Sequence, residues 1–289
     1  MRQRALASGR GCKRGTIDAM IERPAPAALP LHVHYMQLHA VPAFTDNYVW
    51  ILSDAAGAAL VVDPGDTAPV QAALDAHGLR LRTILITHHH ADHIGGLAAL
   101  AARYQPVVYA PDDARIPGPW RRVAHGDALH IDAPALQGEV LALPGHTRSH
   151  VAYHLAPWLF CGDALFSLGC GRLFEGTADD LLLSMRRLTA LPPATQVCPA
   201  HEYTLANAAF AQHIEPDNPA LQARWSEARA LRARSLPTLP VTLHSEQASN
   251  PFLRWEAPAV RAWCTQAGHA GTAAACLGAL RAAKDAFRA

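Results

Sequence analysis

Apolar residues come in short runs through the first two thirds of the chain and at helical spacing through the last third. Residues 48–52 and 58–62 predict adjacent strands joined by a turn-rich connector, Ser53-Asp54-Ala55-Ala56-Gly57. Asp63-Pro64-Gly65 ends the second strand. Thr67 is placed to cap a helix through about His77, because Val70, Ala73 and Leu74 fall at helical spacing. A strand beginning at Thr83 leads into a His-rich loop and a helix over 94–103. Residues 107–110, 128–131, 139–143 and 151–154 predict further strands. Strands mixed with helices of this size imply an α/β fold of two sheets sandwiched by helices. After about residue 175 the pattern changes. Residues 179–191, 204–213, 218–236, 259–267 and 272–287 read as helical, and only 196–198 reads as strand. A soft boundary near 202 separates a mixed region, 35–201, from a helical one, 202–289.

The chain has 289 residues, 50% hydrophobic and 17% charged, which suits a soluble globular protein with a substantial core. Its formal net charge of +1 excludes a general basic field for nucleic acid. No apolar run is long enough to span a membrane, so neither partner is expected. Cys12, Cys161, Cys170, Cys198, Cys264 and Cys276 form no Cys-x-x-Cys pair. They read as reduced thiols of a cytoplasmic protein. A monomer is expected.

Residues 1–34 stand apart. Arg2, Arg4, Arg10, Lys13, Arg14 and Arg23 precede a Pro/Ala stretch, with no periodic apolar pattern. An Arg-rich, acid-poor leader is compatible with a transit peptide, with a disordered tail, or with a start codon placed too early. Met20 and Met36 are alternative starts, and Met36 is favoured.

The most informative stretch is Thr87-His88-His89-His90-Ala91-Asp92-His93. In an extended segment alternate residues share a face, so His88 and His90 point one way and His89 the other. Asp92 and His93 follow as the chain turns into a helix and approach from another direction. One loop can then serve two metal ions. His146, Asp163 and His201 each follow a short apolar run after a Gly or Pro, as expected for ligands collected at one sheet edge. Imidazole and carboxylate donors suit zinc, iron or manganese.

The His-x-His-x-Asp-His motif with later His, Asp and His resembles the metallo-β-lactamase superfamily from about Met36 onward. The resemblance implies an αββα metallo-β-lactamase sandwich followed by a C-terminal helical domain. It also implies two divalent metal ions, most simply zinc. His88, His90 and His146 would hold one; Asp92, His93 and His201 would hold the other; Asp163 would bridge them with a water or hydroxide. That water, acidified by two ions about 4 Å apart, is the expected nucleophile, with Asp92 and Asp163 as the catalytic carboxylates. Asp63 is expected to orient one of the ligating imidazoles.

Four further stretches resemble the glyoxalase II (hydroxyacylglutathione hydrolase) family. They are Gly169-Cys170-Gly171-Arg172-Leu173-Phe174-Glu175-Gly176-Thr177-Ala178, His201-Glu202-Tyr203-Thr204-Leu205-Ala206-Asn207 with Ile214-Glu215-Pro216, Asn250-Pro251-Phe252-Leu253-Arg254, and Leu280-Arg281-Ala282-Ala283-Lys284-Asp285. The family splits the thioester S-D-lactoylglutathione into D-lactate and glutathione, the closing step of methylglyoxal degradation. Arg172, Phe174, His201, Tyr203, Arg281 and Lys284 would then bind the glutathione part. The family often has Lys and Tyr where Arg172 and Phe174 stand. Arg keeps the charge, and Phe lacks a phenolic hydrogen bond. Arg281 and Lys284, three apart, would share an exposed or half-exposed helical face. His125, His130, His150 and His154 lack ligand spacing and are expected at the surface or behind the ligands. The alternatives are a glutathione persulfide dioxygenase with a single iron on His88, His146 and Asp163, a metallo-nuclease or lactamase, and an inactive metal-binding scaffold.

Overall fold

The structure, a computed structural model, describes residues 36–269 and 271–288. The expectations for the leader, and Cys12 with it, lie outside them.

The chain opens with β1 (Gln37–Ala43), β2 (Asn47–Ser53) and β3 (Ala58–Val62), an antiparallel meander. Helix α1 (Thr67–Ala76) crosses to β4 (Arg80–Leu85). Asp66, not Thr67, caps that helix by accepting from the Ala68 amide. Next come α2 (Ala91–Ile94), α3 (Leu97–Tyr104), β5 (Val107–Pro111) and β6 (Arg121–Val123). The single helix expected over 94–103 is therefore two. Gly95 and Gly96 separate them, lying so close to the backbone around Pro64–Asp66 that a side chain would collide there. Strands β3 to β6 run parallel and complete a six-stranded sheet in the order β1-β2-β3-β4-β5-β6.

A second sheet follows from β7 (Ala128–Asp132), β8 (Ala135–Ala142), β9 (Val151–Leu155) and β10 (Trp158–Gly162). The short β11 (Leu165–Phe166) and β12 (Gly169–Cys170) form a hairpin before α4 (Ala178–Thr189) and β13 (Gln196–Pro199). Thr177 and Asp180 cap α4 reciprocally. The C-terminal part is α5 (Thr204–Ile214), α6 (Pro219–Ala233), β14 (Val241–Thr242), α7 (Leu243–Ser249), α8 (Pro258–Gln266) and α9 (Ala273–Ala286). The second sheet has the order β14-β13-β10-β9-β8-β7. Strand β14 and helix α7 had no counterpart in the sequence pattern, and β14 pairs with β13.

Strands β2 and β3 are buried throughout because both faces of their sheet are covered. One face, with Trp50, Leu60 and Leu85, packs against Val140, Tyr153 and Phe160 of the second sheet. The other, with Ile51, Val61 and Ile84, packs under Val70 and Leu74 of α1 and Leu97 and Leu100 of α3. Leu181, Met185 and Leu188 of α4 join the inter-sheet core cluster.

Cys264 and Cys276 are joined by a disulfide between α8 and α9, which corrects the expectation that all cysteines are reduced thiols. The two helices pack together and bring the Cα atoms to 5.5 Å, a proximity that a separation of 12 residues does not announce. Cys161, Cys170 and Cys198 are free and buried. Among the described residues no helix is long and apolar enough to cross a membrane.

Candidate metal centre

Every candidate ligand sits at the end of a strand or in the loop that follows it. His88, His90, Asp92 and His93 follow β4; His146 lies between β8 and β9; Asp163 follows β10; His201 follows β13. The strands of both sheets thus deliver them to one edge. Gly162 makes the last part of that possible for Asp163. It adopts φ +49°, and a β-carbon there would crowd Thr87 and lie 2.9 Å from His150 Nε2.

The side chains form two groups sharing one carboxylate. His90 Nδ1 lies 3.0 Å from His88 Nε2 and 2.9 Å from His146 Nε2. Asp92 Oδ2 lies 3.5 Å from His93 Nε2 and 3.4 Å from His201 Nε2. Each group could converge on one ion. Asp163 spans them: Oδ2 is 3.3 Å from His146 Nε2, while Oδ1 is 3.4 Å from His93 and 3.3 Å from His201. His93 Nε2 and Asp163 Oδ1 are buried without a hydrogen-bond partner, as expected of atoms whose natural partner is a cation. The donor set is imidazole and carboxylate, so the residues fit divalent transition metals.

Electrostatics agree with that fit. Burial keeps His88 neutral and lowers His146 to about 4. Burial opposes charge on His93 and His201 too, but there the carboxylates win. Asp163 and Asp63 raise His93 well above its ordinary value, and Asp163 and Asp92 carry His201 up to about 10. Burial works to raise Asp92 and Asp163, yet the surrounding imidazoles hold both well below the ordinary carboxylate range. Three carboxylates within one small space call for positive charge, and a metal ion would supply it in place of protons.

Residues behind the ligands fix their orientation. Asp63, at φ +50°, accepts from the Thr87 amide at 2.7 Å and hydroxyl at 2.6 Å, and faces His93 Nδ1 at 3.0 Å. His150 is fully buried, and its Nε2 accepts from the Asp163 amide at 3.2 Å. Asp46 and Asn47, absent from the sequence expectations, are adjacent to the cluster. Asp46 Oδ1 is 2.8 Å from His201 Nδ1, and Asn47 Nδ2 donates to Asp92 Oδ2 at 2.9 Å. The signal that could have found them is a polar pair immediately before the apolar run 48–52 of the fully buried strand β2. His89 turns away toward Asp113 and Glu175, His125 and His130 are exposed, and His154 pairs with Glu139.

A cavity of about 460 Å³ opens on the cluster, lined by His146, Asp163, Phe166, Cys170, Arg172, Phe174, Tyr203, Ala206, Asn207, Arg281 and Lys284. It brings together all six residues expected to meet substrate except His201, whose ring lies beneath Tyr203, stacked at 4.8 Å. Phe174 is 62% exposed and sets its ring edge against His90 and His146. Arg172 is exposed near Asp285. Arg281 departs from expectation. It is 6% exposed rather than half-exposed, because its guanidinium donates to the Cys170 carbonyl at 2.6 Å and pairs with Asp285 at 3.0 Å. Lys284 remains half-buried beside it, over the Phe210 ring.

Two sheets between helices, with His and Asp ligands at the strand ends, define a metallo-β-lactamase fold, and residues 43–201 match the metallo-beta-lactamase superfamily. Residues 202–287 match the hydroxyacylglutathione hydrolase C-terminus. The chain belongs to the hydroxyacylglutathione hydrolase family. A protein of that name from Xanthomonas campestris pv. campestris (strain B100) is 51% identical over 88% of this chain and its own full length. One from Stenotrophomonas maltophilia (strain R551-3) is 52% identical over the same shares. Among solved structures, the BLEG-1 B3 metallo-beta-lactamase superimposes with a TM-score of 0.56 at 22% identity, covering 75% of this chain and 99% of its own. ETHE1 from Myxococcus xanthus does so with 0.51 at 28% identity, covering 74% and 98%.

Proposed function

We propose that this chain hydrolyses the thioester of S-D-lactoylglutathione, releasing D-lactate and glutathione. The observation that carries the reading is that His146 and Asp163 belong both to the ligand cluster and to the wall of a cavity whose other wall holds Arg281 and Lys284. A substrate with a reactive carbonyl at one end and carboxylates at the other matches that polarity. The names of the relatives, hydroxyacylglutathione hydrolases, support a substrate of that class.

His88, His90 and His146 would hold one divalent ion and Asp92, His93 and His201 a second, with Asp163 between; zinc, iron and manganese all suit these donors. When bound, the pair supplies an acidified water as nucleophile and polarises the carbonyl. The chain's own residues do the rest. Arg172 and Lys284 offer cations to the glutathione carboxylates, and Tyr203 offers a ring and hydroxyl to the peptide. Phe174 offers a ring edge alone and covers the His90–His146 side of the cluster. The single-iron dioxygenase alternative, on His88, His146 and Asp163, would leave His90, Asp92, His93 and His201 without a task.

The test is a thioesterase assay on S-D-lactoylglutathione with metal analysis of the same sample. Turnover with about two metals per chain is expected. Oxygen consumption on glutathione persulfide without thioester hydrolysis would overturn the reading.

A further inference from the structure

The two ligand groups differ in what stands behind them. In the first, His88 Nδ1 faces the Thr87 hydroxyl at 3.0 Å, and that hydroxyl's own hydrogen is committed to Asp63. His146 Nδ1 faces the Arg172 carbonyl at 3.0 Å. Both backing groups are neutral acceptors. In the second, His93 Nδ1 is backed by Asp63 at 3.0 Å and His201 Nδ1 by Asp46 at 2.8 Å. Both are carboxylates, and Asp92 adds a third negative charge as a ligand.

A carboxylate behind an imidazole fixes the tautomer that leaves Nε2 free and makes that nitrogen a stronger donor; losing such a partner typically costs 10–100-fold in metal affinity. A dication is also drawn to the group with more negative charge. Asp46 is held rigidly for this task. The Glu202 amide donates to its carbonyl at 2.8 Å, and Asn47 pairs with His201 through an isolated antiparallel bridge. Asn47 orients Asp92 from the same turn. The turn between β1 and β2 therefore reaches two ligands of the second group.

Resting on the dinuclear reading above, we propose that the Asp92–His93–His201 group takes up a divalent ion ahead of the His88–His90–His146 group. Asp46 is the positioning residue that sets this order.

The experiment is zinc competition against a chromophoric chelator of known affinity, on the full chain. His90→Ala leaves only the second group intact, and His201→Ala only the first. H90A should hold zinc at least about tenfold more tightly than H201A. Adding Asp46→Asn should weaken zinc by about 10–100-fold in H90A and leave H201A nearly unchanged, because its histidine partner is already gone. Circular dichroism melting of the metal-stripped variants checks that each is folded, and the conservative Asn preserves an acceptor. Tighter zinc in H201A than in H90A would overturn the order. Equal weakening by D46N in both backgrounds would overturn the role of Asp46. A wild-type chain that binds no zinc would instead overturn the metal reading, and this inference with it.

Discussion

Arg281 Nη1 donates to the carbonyl oxygen of Cys170 at 2.6 Å, joining the last helix to the β11–β12 hairpin across 111 positions of sequence. Lys284, one turn further along the same helix, has no such anchoring role. The two cations should therefore separate on mutation. Lys284→Ala should raise KM for the glutathione thioester about five- to thirtyfold, the loss of roughly 1–2 kcal/mol of binding, with the melting temperature near wild type. Arg281→Ala should raise KM and also lower the melting temperature, since it leaves a buried carbonyl without its donor. Steady-state kinetics and thermal melts decide. Equal loss of stability in both would show that the pair acts as one structural unit. KM of the wild type should rise with salt, as screening weakens contacts at exposed charges.

Among the described residues, Asp163 is the one carboxylate within 3.5 Å of imidazoles from both groups. Asp163→Asn keeps its volume and removes its charge. Metal content should fall and activity drop by more than about 100-fold, beyond the range typical of losing an outer partner. Chelation of the wild type should abolish turnover, and metal added back should restore it. Full activity with one metal equivalent would contradict a dinuclear mechanism.

Gly171 is present because nothing larger fits. A β-carbon there would collide with the Asp163 carbonyl and come within 3.1 Å of His146 Nδ1. Gly171→Ala should cost roughly 1–3 kcal/mol by overpacking and reduce bound metal through displacement of Asp163. Calorimetry and metal analysis read the two effects. A variant that melts and loads like wild type would show that the loop relaxes freely.

Glu246 is fully buried and accepts from the Ser167 hydroxyl at 2.8 Å, the Leu168 amide at 2.8 Å and the Asn250 amide group at 2.9 Å. Glu246→Ala should cost roughly 3 kcal/mol, leaving these donors unpaired, and Glu246→Gln about 1 kcal/mol. Burial raises the Glu246 carboxyl above its ordinary 4.5. Its neutral form is thus favoured on folding. The associated stability is complete below the unfolded value and is lost as pH rises through the folded one. The melting deficit of E246Q should accordingly shrink as pH rises above the ordinary 4.5 of the carboxyl. A constant deficit as pH rises would mean that the carboxyl titrates as it does unfolded.

How much of this was written in the sequence follows from locality. His88 and His90 were legible because strand alternation puts them on one side, and His146, Asp163 and His201 because each ends a short apolar run. Asp46 was not, because its partner His201 lies 155 positions away and nothing local marks the contact. His150 looked unremarkable by spacing, yet folding buries it against Asp163. The helical period correctly put Arg281 and Lys284 on one face. It could not say that the Cys170 carbonyl would reach only one of them. Strand β14 is not legible because two residues carry no period, and the Cys264–Cys276 bond is not because helix packing, not spacing, makes it.

The superfamily match stops at His201 and the hydrolase match starts at Glu202, so the seam between two sequence families runs between adjacent residues. His201 belongs to the cluster of candidate ligands. Glu202 accepts from the Tyr48 hydroxyl at 3.1 Å and the Thr238 amide at 2.8 Å, and its own amide holds Asp46. A recombinant enzyme spliced at this seam would inherit the ligand from one parent and its scaffolding from the other. A library of such chimeras would sort tails first by whether they restore the Glu202–Thr238 tie, and only then by the thioester they admit.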